Sequence, residues 1–170
     1  MGDENKIRPD QKQMAKTAQK TQAGQSKKKS VKMDAKSHLE QAIKINPDFL
    51  DAYYELGCLL RDEGDLKGAE KQFKDVIKLN NNHADGYFQL ALIAAEFKKN
   101  KSARDNFEKA VTIKYDDPEV QFKYGLFLKK TKKIEEATEH FGKAIEANQN
   151  FAKAYFELAM LLRDPEDYDR

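Results

Sequence analysis

The side chains best suited to metal binding or nucleophilic chemistry are three histidines, His38, His83 and His140, and one cysteine, Cys58. The histidines are too few and too widely separated for a metal cluster or a catalytic triad. A single cysteine excludes an intramolecular disulfide and a cysteine-rich metal framework. No glycine-rich phosphate loop, zinc spacing or nucleophile elbow is present in the sequence. We therefore predict a protein that is not an enzyme, with no catalytic residue, metal or cofactor.

The regular feature of the chain is a spacing of apolar residues. Alanine is followed four places later by phenylalanine at three points, and each pair lies 34 residues after the last: Ala69 and Phe73, Ala103 and Phe107, Ala137 and Phe141. The same register holds Leu56-Gly57, Leu90-Ala91, Tyr124-Gly125 and Leu158-Ala159. A fixed period of this length is typical of a repeat array, in which each unit buries its apolar face by stacking on its neighbours.

The elements that carry these residues have helical spacing from about residue 31 onward, with no strand-like alternation. The pattern predicts a helix ending at Asn46-Pro47, then helices near 50–63, 84–97, 100–113, 118–131, 134–147 and 152–163, with a further stripe from Leu66 to Ile77. Gly64 suits a helix C-terminus, and Asp65 can cap the next helix. We expect His38 and His140, at equivalent places on second helices, to face solvent. The chain is predicted to be all-α.

The N-terminal residues differ in composition from the rest. Residues 1–34 carry nine Lys/Arg and four acidic residues, a net charge of +5, with almost no large apolar side chain. Such a segment cannot bury enough surface to offset its ordering entropy, so we predict that 1–30 is a flexible basic leader. No apolar stretch of 7–15 residues follows the N-terminus, so we expect no secretory signal, and the longest apolar run is far shorter than the ~20 residues of a bilayer span. We expect a soluble cytoplasmic protein with no membrane contact.

Two antiparallel helices per 34 residues, with this sequence pattern, resemble the tetratricopeptide repeat family. Units that start at Leu50, Ala84 and Pro118 supply the characteristic residues: Tyr53, Leu56, Gly57, Leu60, Ala69, Phe73 and Val76; Tyr87, Leu90, Ala91, Ala94, Ala103, Phe107 and Ala110; and Gln121, Tyr124, Gly125, Leu128, Ala137, Phe141 and Ala144. The resemblance implies an α-solenoid of antiparallel helix pairs over 31–170. It would contain a half repeat at 33–49, repeats at 50–83, 84–117 and 118–151, and a half repeat at 152–170. Gln121 replaces the usual aromatic, and we expect it to loosen the third unit.

The family's first helices line a concave groove, and the resemblance places two apolar rows there. Position 5 of each unit holds the ring row, Tyr54, Phe88, Phe122 and Phe156, and position 9 holds the groove row, Cys58, Leu92, Leu126 and Met160. Exposed contiguous apolar surface usually marks an interaction site, although an aromatic ring at position 5 also packs on the adjacent helix. With Arg61 and Lys129 on the groove flank, the rows predict a scaffold that binds a peptide or helix of a partner protein.

Two other functions remain open. The chain could be an adaptor that contacts nucleic acid or an acidic surface through 1–34 and the lysines of 129–133. Those lysines also oppose a helix dipole, so no nucleic acid is expected. The chain could instead be a structural segment of a larger assembly or enzyme. Its last unit begins at Ala152 and lacks a second helix, so we expect a longer array or self-association through the uncapped C-terminal helix.

Overall fold

The computed structural model describes residues 34–163, and within this range the chain is helical, with short turns and no strand. Helix α1 spans residues 34–45. The following helices are α2 Leu50–Asp62, α3 Leu66–Leu79, α4 Ala84–Glu96, α5 Asn100–Ile113, α6 Pro118–Lys130, α7 Ile134–Ala147 and α8 Ala152–Arg163. The predicted all-α fold is confirmed. The predicted leader, 1–30, and residues 164–170 lie outside the described residues.

The described chain divides after Pro47 into two compact units. Helix α1 belongs to the first unit and carries three half-buried apolar residues, Leu39, Ala42 and Ile43. His38 is exposed on this helix, as the sequence predicts, and its Nδ1 lies 2.6 Å from the carbonyl oxygen of Asp34.

The second unit is built from helix pairs. Helix α2 packs with α3, α4 with α5, and α6 with α7, while α3 also contacts α4, α5 contacts α6 and α7 contacts α8. We call α2, α4, α6 and α8 first helices, and α3, α5 and α7 second helices. The second helices bury the alanine–phenylalanine pairs of the sequence pattern, since all six side chains are at most 1% exposed. The core therefore lies between the two helix layers, as the 34-residue period predicts.

Small residues on the first helices allow close approach to these phenylalanines. A Cβ atom on Gly57 would lie 2.7 Å from Cε1 of Phe73, and one on Gly125 would lie 2.7 Å from Cε1 of Phe141. These distances are well below ordinary van der Waals contact, so the ring occupies the space that a side chain would need. The middle pair has Ala91 in this place, fully buried.

The turns inside the helix pairs share one backbone conformation. Gly64 ends the α2 region with φ of +84°, and the side chain of Asp65 accepts a hydrogen bond of 2.9 Å from the Gly68 amide at the start of α3. The capping role predicted for Asp65 is thus present. The equivalent residues in the next two pairs are Lys98 and Lys132, with φ of 56° and 60°. A side chain in this left-handed region carries a steric cost that glycine avoids.

Candidate functional site

The groove row lies on four successive first helices. Cys58 is on α2, Leu92 on α4, Leu126 on α6 and Met160 on α8, and all four are half-buried. The residues occupy the same repeat position on these helices, which indicates one apolar line along the first-helix layer. Burial raises the pKa of the Cys58 thiol, and the nearby Arg61 opposes this more weakly. Cys58 is therefore a neutral thiol at neutral pH and a member of the apolar row.

The ring row is tied to the core more closely than the groove row. Each of its first three rings contacts the phenylalanine of its own second helix. The ring centroids are 5.6 Å apart for Tyr54 and Phe73, 6.2 Å for Phe88 and Phe107, and 5.7 Å for Phe122 and Phe141. These distances are within the range of favourable aromatic pairs. The rings consequently contribute to packing inside each helix pair as well as to the surface.

Exposure differs along the ring row. Phe156 is 63% exposed, Tyr54 and Phe88 are half-buried, and Phe122 is only 5% exposed. Phe122 is covered because Phe151, in the turn before α8, meets it edge-on at 5.2 Å. The predicted open row of four rings therefore reduces to three accessible members. Phe122 is a core residue and does not belong to the accessible surface.

The charged residues predicted to flank the groove join neighbouring first helices. The Arg61 guanidinium donates a hydrogen bond to Oε1 of Gln89, and the Lys129 ammonium lies 2.8 Å from a carboxylate oxygen of Glu157. In both cases repeat position 12 contacts position 6 of the next unit. These contacts limit what either side chain can offer a partner. Sequence reasoning missed the bridges, although the complementary residue types 28 places apart were a usable signal.

The boundary between the second and third units, which we call the middle join, differs from the two outer joins at the same two positions. Ala95 stands where Arg61 and Lys129 stand, and Lys123 replaces Gln89 and Glu157. An alanine and a lysine cannot form the bridge, and the Lys123 ammonium instead lies 3.6 Å from Glu119 on its own helix. Ala95 is half-buried and lies three residues after Leu92 on α4. At position 12 the centre of the first-helix layer is therefore apolar, whereas Arg61 and Lys129 place a cation at that position on either side.

Gln121 has a different environment from the one expected. It is 2% exposed, its amide nitrogen donates to the carbonyl oxygen of Tyr115 at 2.7 Å, and its amide oxygen lies 2.7 Å from Nδ1 of His140. Because both ends of the amide are hydrogen-bonded, Gln121 secures this part of the third unit rather than loosening it. His140 is half-buried against the Tyr124 ring, so the expectation that it faces solvent was wrong.

The described residues contain no group of three or more His, Cys, Asp or Glu side chains placed to hold a metal ion. Over the same residues, no helix combines the length and the apolar character needed to span a membrane.

Several solved structures share this fold. MamA aligns over 85% of this chain and 85% of its own, with 19% identity and a TM-score of 0.75. YrrB, described as a TPR protein with an unusual peptide-binding site, aligns over 85% of this chain and 74% of its own, with 19% identity and a TM-score of 0.68. TTC0263, a thermophilic TPR protein of Thermus thermophilus, aligns over 79% and 75%, with 20% identity and a TM-score of 0.66. At these identities the likeness establishes the fold alone.

No curated protein sequence matches the chain. Family models do match it, each described as tetratricopeptide repeat: one over residues 38–71 and another over 84–117 and again over 118–151. The matched stretches together cover more than half of the 170 residues. On these matches, with the helix pairs and their buried alanine–phenylalanine contacts, the chain belongs to the tetratricopeptide repeat family.

Proposed function

We propose that this chain is a non-catalytic interaction scaffold in the cytoplasm whose first-helix layer binds a peptide or short helix of a partner protein. The observation that carries the proposal is the groove row, which is half-buried in the same way on four successive first helices. A surface that stays partly open in every unit is not needed to close the core. An amphipathic helix or extended segment that lies along the row would cover it.

The apolar centre of the layer is the best place for the partner's main anchor. Leu92, Ala95 and Leu126 are all half-buried there. The bridges of the outer joins, Arg61 to Gln89 and Lys129 to Glu157, have no counterpart, because Ala95 and Lys123 stand at those two positions. An apolar side chain docked at this point would displace water without breaking an ion pair. Charged residues nearer the ends would then set register and specificity.

The proposal is tested by comparing capture of partners by wild type and by a Leu92→Asp, Leu126→Asp variant. Each leucine that a partner buries contributes about 1.5–3 kcal/mol, so the double variant should weaken binding about a hundredfold or more. Leu79→Asp, at an exposed residue of second helix α3, is the matched control. Equal recovery of the same partners by all three proteins would refute the proposal, provided that circular dichroism shows them equally folded.

A second measurement leaves Leu92 and Leu126 in place. A photo-crosslinking residue placed at Met160 should join covalently to the captured partner, whereas the same residue at Leu79 should not. Binding that falls steeply with salt and is lost when residues 1–33 are removed would instead favour the basic adaptor function.

A further inference from the structure

A cavity of about 430 Å³ lies between second helices α5 and α7, away from the groove row. Val111 on α5 and Ala147 on α7 form apolar walls, and Tyr115, Gln121, His140 and Lys143 also line it. The volume lies within the roughly 300–1,000 Å³ range of small-molecule and side-chain pockets. The role of the first-helix layer does not account for this cavity.

The cavity opens here because three side chains are smaller than their equivalents one repeat earlier. Gln121, Val111 and Ala147 take the places held 34 residues before by Tyr87, Ile77 and Ile113. Every one of the three changes removes side-chain volume from the lining of this cavity. Helices α5 and α6 also contact each other less extensively than α3 and α4 do, so the lost side-chain volume is not refilled by closer packing and remains as space.

The hydrogen bonds at the cavity determine the orientation of the Gln121 amide and the tautomer of His140. The carbonyl oxygen of Tyr115 can only accept, so the Gln121 atom 2.7 Å away must be the amide nitrogen. The Gln121 oxygen therefore faces Nδ1 of His140, at 2.7 Å, and that nitrogen must carry the proton. In the neutral ring this leaves Nε2 as a hydrogen-bond acceptor for a guest.

The environment of His140 favours the neutral ring. Burial lowers the pKa of His140, and the positive charge of Lys143 acts in the same direction. The carboxylates of Glu139 and Glu136 oppose this more weakly. At neutral pH the cavity consequently offers an acceptor nitrogen, apolar walls and the Tyr115 ring, which is 75% exposed at the rim.

We propose that this cavity is a second binding site, which receives one aromatic side chain bearing an N–H or O–H donor, tryptophan or tyrosine, from a partner protein. The ring would pack against Val111 and Ala147 and stack on Tyr115, while its donor would meet Nε2 of His140. Aromatic anchors that fill a pocket and place one polar atom inside it carry much of the affinity of many interfaces.

The test uses capped amino acids and the full chain. N-acetyl-tryptophanamide is titrated into ¹⁵N-labelled protein, and the backbone signals of Thr112, Tyr115 and Gln121 are followed beside those of Leu92 and Leu126. A single ring should bind with a Kd of about 1 mM and shift only the first set. The 1-methylindole analogue lacks the donor and should bind about five- to tenfold more weakly, the effect of one hydrogen bond.

Two variants make the test specific. Val111→Ile with Ala147→Ile restores the larger residues of the preceding join and should abolish the shifts while the melting temperature is kept. Leu92→Asp alters the first-helix layer and should leave the shifts unchanged, so failure of this site and failure of the groove proposal are distinguishable. Unchanged binding in the filled variant, or equal binding of the methylated analogue, would overturn the proposal.

The source of the ring is tested with free indole and a capped Gly-Gly-Trp-Gly-Gly peptide. Binding of the peptide at least as tight as that of indole supports a protein partner. Binding of indole with exclusion of the peptide would overturn that assignment and identify a small-molecule pocket.

Discussion

Replacement of Gly125 by alanine tests whether the close contact between the helix layers is as rigid as the structure indicates. Two opposing effects act on the variant. Alanine gains about 1 kcal/mol over glycine as a helix residue. The new Cβ atom, however, would lie 2.7 Å and 2.8 Å from two carbon atoms of the Phe141 ring. Phe141 is fully buried and has the Phe122 ring 5.7 Å away, so it has little room to move.

The matched control is Gly142→Ala on α7, because a Cβ atom there meets nothing within 4 Å. The two substitutions share the intrinsic helix gain, so their difference isolates the contact with Phe141. Overpacking of this kind costs about 1–3 kcal/mol. We expect Gly142→Ala to stabilise the protein by up to about 1 kcal/mol. Gly125→Ala should be about 2 kcal/mol less stable than that control.

The assay is urea unfolding followed by far-UV circular dichroism. If the unfolding free energy falls with urea concentration at the same slope in both variants, the difference between their urea midpoints reports a difference in stability. Equal stability of Gly125→Ala and Gly142→Ala would refute the reasoning, since it would mean that the ring moves aside without cost. The middle pair, where Ala91 is native and buried, would then represent the general case.

Three further predictions concern other parts of the molecule. Lys98→Gly and Lys132→Gly should each stabilise the protein by about 1 kcal/mol, because glycine tolerates their φ of 56° and 60° without steric cost; unchanged urea midpoints would contradict this. The folded-state pKa of His140 is lowered from 6.5, so the unfolded chain binds more protons as the pH falls. The contribution of neutral His140 to the free energy of unfolding is therefore complete well above pH 6.5 and declines below it. Between about pH 7.5 and about pH 5, the His140→Asn variant should consequently lose less stability than wild type does. Self-association through α8 remains a prediction that Phe156→Ser should weaken in light scattering, because the Phe156 ring is 63% exposed; an unchanged scattering mass would count against it.

The sequence predicts the architecture well because the repeat places the same residue types at the same points of every unit. The buried pairs Ala69 with Phe73 and Ala137 with Phe141 follow directly from the 34-residue period. The cap at Asp65 follows from its place immediately after a glycine. These features depend on residues close in sequence, or on contacts that the repeat makes identical in each unit.

The parts that escaped prediction depend on departures from the repeat. Phe122 is buried because Phe151 happens to cover it, whereas the equivalent residue one unit earlier is Asp117. The bond between Gln121 and His140 joins residues from two helices, and nothing in either residue type specifies it beforehand. Such contacts require side-chain positions in three dimensions, which a repeat pattern alone does not give.

The absence of a position-12 bridge at the middle join has a mechanical consequence. Arg61 with Gln89, and Lys129 with Glu157, act as struts across the outer joins of the first-helix layer. At the middle join the strut lies on the opposite layer, where Arg104 on α5 contacts Glu136 on α7 at 2.7 Å. Aromatic contacts also cross this join, because Phe107 on α5 stacks on Tyr124 at 5.1 Å and meets Phe127 at 5.4 Å on α6. Load between the two middle units is therefore carried by the core and the second helices, while the groove faces of α4 and α6 are not tied to each other at positions 12 and 6.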